Sequence, residues 1–139
     1  MKVLIASDHA GFELKSKIIS HFKEYQFHDL GCDSAKISVD YPDIAKKLCV
    51  QYLEGGFEFG ILICGSGIGI SIAANRFSKI RAALCCNEET AKLSRQHNNA
   101  NIICLGQRTI NEDDAIKAVK VFLKTEFEGG RHQKRVEKL

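Results

Sequence analysis

The sequence predicts an α/β fold: a three-layer α/β/α sandwich around a five-stranded parallel sheet, Rossmann-like in type. Three observations carry this. Short apolar runs of strand length recur through the chain, amphipathic stretches of helical period separate them, and the central run ends in the glycine turn Gly65-Ser66-Gly67-Ile68-Gly69. Regular alternation of strand and helix implies right-handed crossovers, hence parallel strands covered on both faces.

Lys2 to Ala6 reads as the first strand, followed by the polar turn Ser7-Asp8-His9 and Gly11. Phe12 to Lys23 spaces Leu14, Ile18 and Phe22 at helical intervals. Phe27 to Leu30 is a second short strand, and Gly31 to Asp40 is a loop. From Pro42, a residue favoured in a helix's first turn, Ile44, Leu48 and Tyr52 form one stripe and Ala45, Cys49 and Leu53 its neighbour, ending at Gly55-Gly56. Phe59 to Cys64 is a buried strand and Ile70 to Asn75 the helix after the glycine turn. A strand from Ile80 to Cys86, a helix from Glu88 to His97, a strand from Asn101 to Leu105 and a helix from Glu112 to about Phe127 complete the alternation. The tail runs from Gly129 to Leu139.

At 139 residues, 45% hydrophobic and 27% charged, the chain is expected to fold as one domain spanning 1–139 with residues 129–139 as its tail. The net charge of +3 is spread among interspersed acidic and basic residues, so neither nucleic acid nor a membrane is the expected partner; a small molecule is. The apolar run Val3–Ala6 is too short for a signal sequence, and no stretch has the composition of a membrane span, which points to a cytoplasmic protein. The six cysteines, at 32, 49, 64, 85, 86 and 104, lack C-x-x-C spacing and suit a reducing compartment better than a disulfide framework.

The glycine turn reads as an anion cradle, in which backbone N–H groups at a helix start face a ligand. It fails the dinucleotide fingerprint, because Ile70 stands where the third glycine belongs; it also lacks a P-loop ending, and Cys64 takes the place of the first glycine of a nucleophile elbow. A small anion fits it better than a nucleotide. Ligands in open parallel sheets sit beyond the strands' C-terminal ends. If the first and third strands are neighbours, Asp8-His9 and Cys64 to Gly69 face one crevice.

Cys64 ends a strand at a helix start, where the dipole favours the thiolate that a base requires. Cys85 and Cys86 read as core positions inside a strand. Asp8 and His9 fit either a plain turn or a function beside the cradle. His97, before Asn98, Asn99 and Ala100, fits a helix end capped by asparagine, and the same setting suits a proton donor. It lies at the sheet end opposite the cradle, so it reaches a cradle only in another subunit. Arg131 and Arg135 share one face if the tail is helical and suit either a solvated basic tail or a phosphate clamp, whereas Arg108, just past the fifth strand, is better placed for an anion.

SDHAG at Ser7–Gly11, DYP at Asp40–Pro42, ILICGSGIGISIAAN at Ile61–Asn75, LSRQHNNAN at Leu93–Asn101 and EGGRHQKRVEK at Glu128–Lys138 together give the chain a resemblance, over Val3 to Val136, to the ribose/galactose isomerase family. That family holds the type B ribose-5-phosphate isomerases and the galactose- and allose-6-phosphate isomerases. The resemblance implies interconversion of D-ribose 5-phosphate and D-ribulose 5-phosphate, a step of the pentose phosphate pathway, without metal or cofactor. It implies Cys64 as the base. Ser66 and the backbone of Gly65, Gly67 and Gly69 would hold the enediolate oxygens, and Asp8 and Tyr41 the sugar hydroxyls. His97 and Asn98 would open the furanose ring, and His9, Arg108, Arg131 and Arg135 would take the phosphate; His132 receives no role. A second branch of the family has a glutamate base where this chain has Ile70, so Cys64 with Ile70 indicates the cysteine branch. Family members are homodimers with sites at the subunit interface, which implies that His97 and Asn98 act on the partner's Cys64. The alternatives are a hexose-6-phosphate isomerase of the same family, against which the long Gly31–Asp40 loop and complete tail weigh, an inactive sugar-phosphate-binding protein, and, with less support, a thiol redox protein.

Overall fold

Apolar side chains run without a polar break through most of Lys2–Ser7 (β1), Phe59–Cys64 (β3) and Ile102–Gly106 (β5), a pattern that requires cover on both faces of a sheet. The computed structural model describes residues 1–139 and meets that requirement. With Gln26–Asp29 (β2) and Ala82–Leu84 (β4), these strands form one sheet in the order β2-β1-β3-β5-β4, every neighbouring pair parallel.

Successive side chains of the central strands alternate between two cores. Val3, Ile5, Ile61, Ile63, Ile103 and Leu105 pack with residues of Phe12–His21 (α1), Glu88–Asn98 (α4) and Glu112–Lys124 (α5). Leu4, Ala6, Leu62, Cys64, Ile102 and Cys104 pack with residues of Tyr41–Glu54 (α2) and Ile68–Ala74 (α3). The chain thus leaves β1 toward one face and β3 toward the other while the two strands lie side by side. That divergence opens a crevice at their C-terminal ends. No helix is long and apolar enough to cross a membrane.

The expected elements are present, with shifted ends. β4 keeps three residues of the anticipated Ile80–Cys86 run: it is an edge strand, and the Asn75 side chain, rather than another strand, exchanges hydrogen bonds with both Ala82 N and Ala82 O at 2.8 Å. Cys85 and Cys86 accordingly both lie outside the strand; Cys85 is buried as expected, whereas Cys86 is exposed rather than part of the core. α1 stops at His21 because Phe22 turns out of helical geometry to join the core. α3 begins at Ile68, before Gly69, since Gly67 at φ +76° supplies the turn into it. α5 ends at Lys124, with Thr125 extended and its carbonyl taken by Arg95 Nε at 3.0 Å. The tail forms a short 3₁₀ turn, Gly130–His132, and a helical turn, Gln133–Val136 (α6).

Two buried cations hold these elements. Arg95 donates to Asn99 Oδ1 at 2.9 Å and to the Ala100 carbonyl, and its guanidinium lies 4.8 Å from the Phe59 ring centre and 5.8 Å from that of Phe122. Lys15, 1% exposed, donates to Asp29 Oδ1 and Oδ2 at 2.7 and 2.9 Å and to the Cys32 carbonyl at 2.6 Å, tying α1 to the end of β2 and the loop after it. Removing either partner leaves a charge behind, but the two losses differ because Asp29 is 39% exposed and can hydrate. Asp29→Ala should therefore cost about 3–5 kcal/mol, the range for an abandoned buried charge. Lys15→Met should cost less, about 1–3 kcal/mol. Urea unfolding of both variants checks the order; equal or reversed losses would contradict it.

Candidate active site

The crevice between β1 and β3 is a cleft of about 730 Å³, and Asp8, His9, Tyr41, Cys64, Gly65, Ser66, Gly69 and Arg108 line it. The sheet and the helix starts above it put them there. Asp8 N–H donates to the Ile63 carbonyl at 3.1 Å, which prolongs the β1–β3 ladder past the last paired residues and draws Asp8 toward Cys64. The Asp8 carboxylate accepts from Gly11 N–H at 3.1 Å, capping the turn into α1. His9 Nδ1 accepts from Val39 N–H at 3.2 Å, so a neutral ring carries its proton on Nε2. This bond also pins the end of the 31–40 loop, one residue before Asp40 caps α2 and two before Tyr41 begins it.

Cys64 is the only one of the six cysteines whose sulfur accepts a backbone N–H, from Gly67 at 3.1 Å. The other buried thiols differ in kind. Burial pushes Cys49 up to about 12, Cys85 up to about 11 and Cys104 well above the ordinary thiol range, and this keeps all three protonated. The Ser66 hydroxyl accepts from Ile68 N–H at 3.2 Å. The N–H groups of Gly65, Ser66 and Gly69 donate to no acceptor in the chain and remain for a ligand. Gly67 itself lies beneath the cleft, buried against Leu84 and the Leu105–Gly106 backbone, and contributes its amide to the sulfur.

Arg108 is carried into the cleft by a turn that answers the glycine loop: its N–H donates to the Gly65 carbonyl at 2.9 Å, and Gln107 N–H donates to the Cys64 carbonyl at 3.0 Å. Its guanidinium lies over Gly65, where a Cβ would stand 3.0 Å from Nη1. Thr109 completes this wall, and Ala10, Ile68 and Ile72 supply apolar lining. Reading the sequence missed these four. Thr109 has a legible signal in its place directly after Arg108; the others belong to the turn and helix that flank the named residues.

His97, Asn98, Arg131 and Arg135 do not line this cleft within one chain. His97 and Asn98 close α4 at the other end of the sheet, where Asn99 at φ +47° caps it, and Asn98 borders a separate depression with Arg81 and Leu139. The tail packs there too: Glu128 N–H donates to the Gln96 carbonyl at 3.1 Å, and the His132 ring stacks on that of His97 with centres 4.2 Å apart. Burial, the neighbouring His97 and the charge of Arg131 and Arg135 hold the His132 imidazole below its ordinary range, while Glu128 opposes them. His132, which the sequence left without a role, is thus the centre of a second cluster.

The profile of the ribose/galactose isomerase family matches residues 3–139. The ribose-5-phosphate isomerase B of Escherichia coli (strain K12) is 43% identical over 98% of this chain and 92% of its own length. The crystal structure of a ribose 5-phosphate isomerase from Thermotoga maritima superposes with a TM-score of 0.95 at 50% identity, covering 99% of this chain and 95% of that one. The ribose-5-phosphate isomerase B of Mycoplasma genitalium with bound ribulose-5-phosphate is similar at a TM-score of 0.93 and 44% identity, covering 99% and 92% of the two chains.

One wall of the cleft depends on a missing side chain. A Cβ at Gly69 would stand 2.5 Å from Tyr41 Cζ, so the phenol ring occupies its place only because residue 69 has none. Alanine is favoured over glycine in a helix by about 1 kcal/mol. Gly69→Ala should therefore keep the fold's stability while expelling the Tyr41 ring from the cleft wall. A crystal structure of the variant checks this, and a ring left in place would contradict it.

Proposed function

The chain belongs to the ribose/galactose isomerase family, and from that premise we propose that it interconverts D-ribose 5-phosphate and D-ribulose 5-phosphate through an enediolate. One observation supports this above the rest: the Cys64 sulfur stands at the end of β3 beside N–H groups of Gly65, Ser66 and Gly69 that have no acceptor in the chain.

In this reading Cys64 takes the proton from C2 of the open-chain aldose and returns it to C1, while the hydroxyl proton of O2 passes to O1. The negative charge that spreads over O1 and O2 between these transfers is met by the free amides and the Ser66 hydroxyl, as in an oxyanion hole. Asp8 and Tyr41 bind the sugar hydroxyls. His9, donating through Nε2, and Arg108 receive the phosphate. All of these line the same cleft.

Ring opening needs a further acid and base, and His97 with Asn98 supplies them from a second copy. The exposed apolar residues Ile68 and Ile72 on α3 and Leu84 on β4 provide an apolar surface beside the cleft for that copy to cover. In such a homodimer Arg131 and Arg135 join His9 and Arg108 at the phosphate. Free thiols throughout suit a reducing, cytoplasmic setting and a place in the pentose phosphate pathway. The chain acts as one domain, with 129–139 as the tail that completes the neighbouring site.

Steady-state isomerisation of ribose 5-phosphate, allose 6-phosphate and galactose 6-phosphate, with chelator present, tests the substrate. The expected result is kcat/KM dominated by ribose 5-phosphate, with Cys64→Ala losing about 10²–10⁴-fold in kcat at little change in KM. A hexose preference would move the pathway, and unchanged turnover in Cys64→Ala would remove the base. Mixing inactive Cys64→Ala and His97→Ala proteins should restore activity through hybrid dimers carrying one intact site. No recovery after confirmed subunit exchange would show that His97 does not act on the partner's Cys64.

A further inference from the structure

The second cluster, at the junction of α4 and the tail, holds more ligand chemistry than the isomerase reading uses. One ring nitrogen each from His97 and His132 and one carboxylate oxygen of Glu128 all lie within 4.8 Å of one another. Neither imidazole makes a hydrogen bond within the chain. Glu128 Oε2 is 3.6 Å from His132 Nε2, beyond hydrogen-bond length. His132 is 7% exposed as a residue, and its ring nitrogens, though unpartnered within the chain, are not sealed from solvent. The backbone around the three is fixed: Glu128 is bonded to Gln96, His132 N–H donates to the Gly129 carbonyl at 3.0 Å, and Arg95 clamps the end of α4.

We infer that His97, Glu128 and His132 form a binding site for a divalent transition-metal ion of the zinc class, with two imidazole nitrogens and one carboxylate oxygen as ligands and a fourth position open. The donor set selects the ion: imidazole suits zinc and its neighbours, whereas calcium and magnesium require oxygen ligands. Bonds of about 2.0–2.1 Å in tetrahedral geometry place donor atoms roughly 3.4 Å apart, so the cluster must contract. The exposed Glu128 can swing inward. The His97 ring must turn out of its stack, since rings only 15° from parallel do not aim their in-plane lone pairs at one point. Nothing in the chain hydrogen-bonds that ring and opposes the turn.

The charges of Arg131 and Arg135 repel a cation, so the ion binds more weakly than in a dedicated structural site and fills it only as the free metal rises. One consequence rests on the isomerase reading, although the binding does not. An ion held by His97 occupies the lone pair that ring opening requires, and so inhibits the enzyme.

Calorimetric titration of the chelator-stripped full chain with Zn²⁺, in a phosphine reductant, tests the site. One ion per chain is expected, with affinity reduced about tenfold or more in Glu128→Ala and in His132→Ala. Glu128 is exposed and lies outside the catalytic machinery, so its variant should keep the wild-type fold and metal-free activity while needing correspondingly more Zn²⁺ for inhibition. Absence of binding, or affinity unchanged in Glu128→Ala and lost instead in Cys64→Ser, would overturn the site. Glu128-dependent binding that leaves turnover untouched would uphold the site and overturn the role given to His97.

Discussion

A single backbone hydrogen bond, Asp8 N–H to the Ile63 carbonyl at 3.1 Å, is the point from which the cleft is built. It carries the β1–β3 pairing past Ser7↔Ile63, the last paired residues, so that the chain turns into α1 directly beside the chain turning into α3. The turn fits because Gly11 lies against the Ile63 backbone, where a Cβ would meet the carbonyl oxygen at 2.7 Å. Once β1 and β3 are joined there, the 31–40 loop is located from both ends. Cys32 N–H donates to the Ser7 carbonyl at 2.7 Å, and Val39 N–H reaches His9. Lys15 stiffens the same corner from inside, and Tyr41 follows at the start of α2.

Much of this could be read from the residues, for a physical reason. Fully buried parallel strands need continuous apolar runs, and helices covering them need a 3.6-residue stripe, so fold class and element order are written locally. The meeting of Asp8, His9 and Cys64 follows from the rule that crevices open where neighbouring connections diverge. What escaped depends on contacts without periodic signature. One asparagine side chain occupies the free edge of β4, and a tyrosine ring fills the space that a Cβ at residue 69 would take. The stacking of His132 on His97 joins a tail and a helix end far apart in sequence. No local pattern could announce that contact.

Arg95 shows how the end of the molecule opposite the cleft is held together. It neutralises the carbonyl end of α4, holds Asn99 and Ala100, takes the Thr125 carbonyl where α5 ends, and rests on Phe59 and Phe122. Burial lowers its affinity for a proton, yet a guanidinium stays charged through any ordinary pH, so the clamp does not titrate. The backbone at the end of α4, which carries His97, is thereby held by an uninterrupted cation rather than by a group that changes state.

Phe59 and Cys64 are the first and last residues of β3. The strand that supports Arg95 at one end therefore presents the sulfur at the other, roughly 16–17 Å away along five residue steps. His97, in the last turn of the helix whose end this clamp holds, does not line the cleft of its own chain. If both residues serve one sugar, the chemistry has to be divided between two copies, and each copy's β3 then sets the position of both halves. Displacing Phe59 would disturb the Arg95 clamp first and the sulfur last, so the two contributions are separable in the folded protein even though one strand carries them.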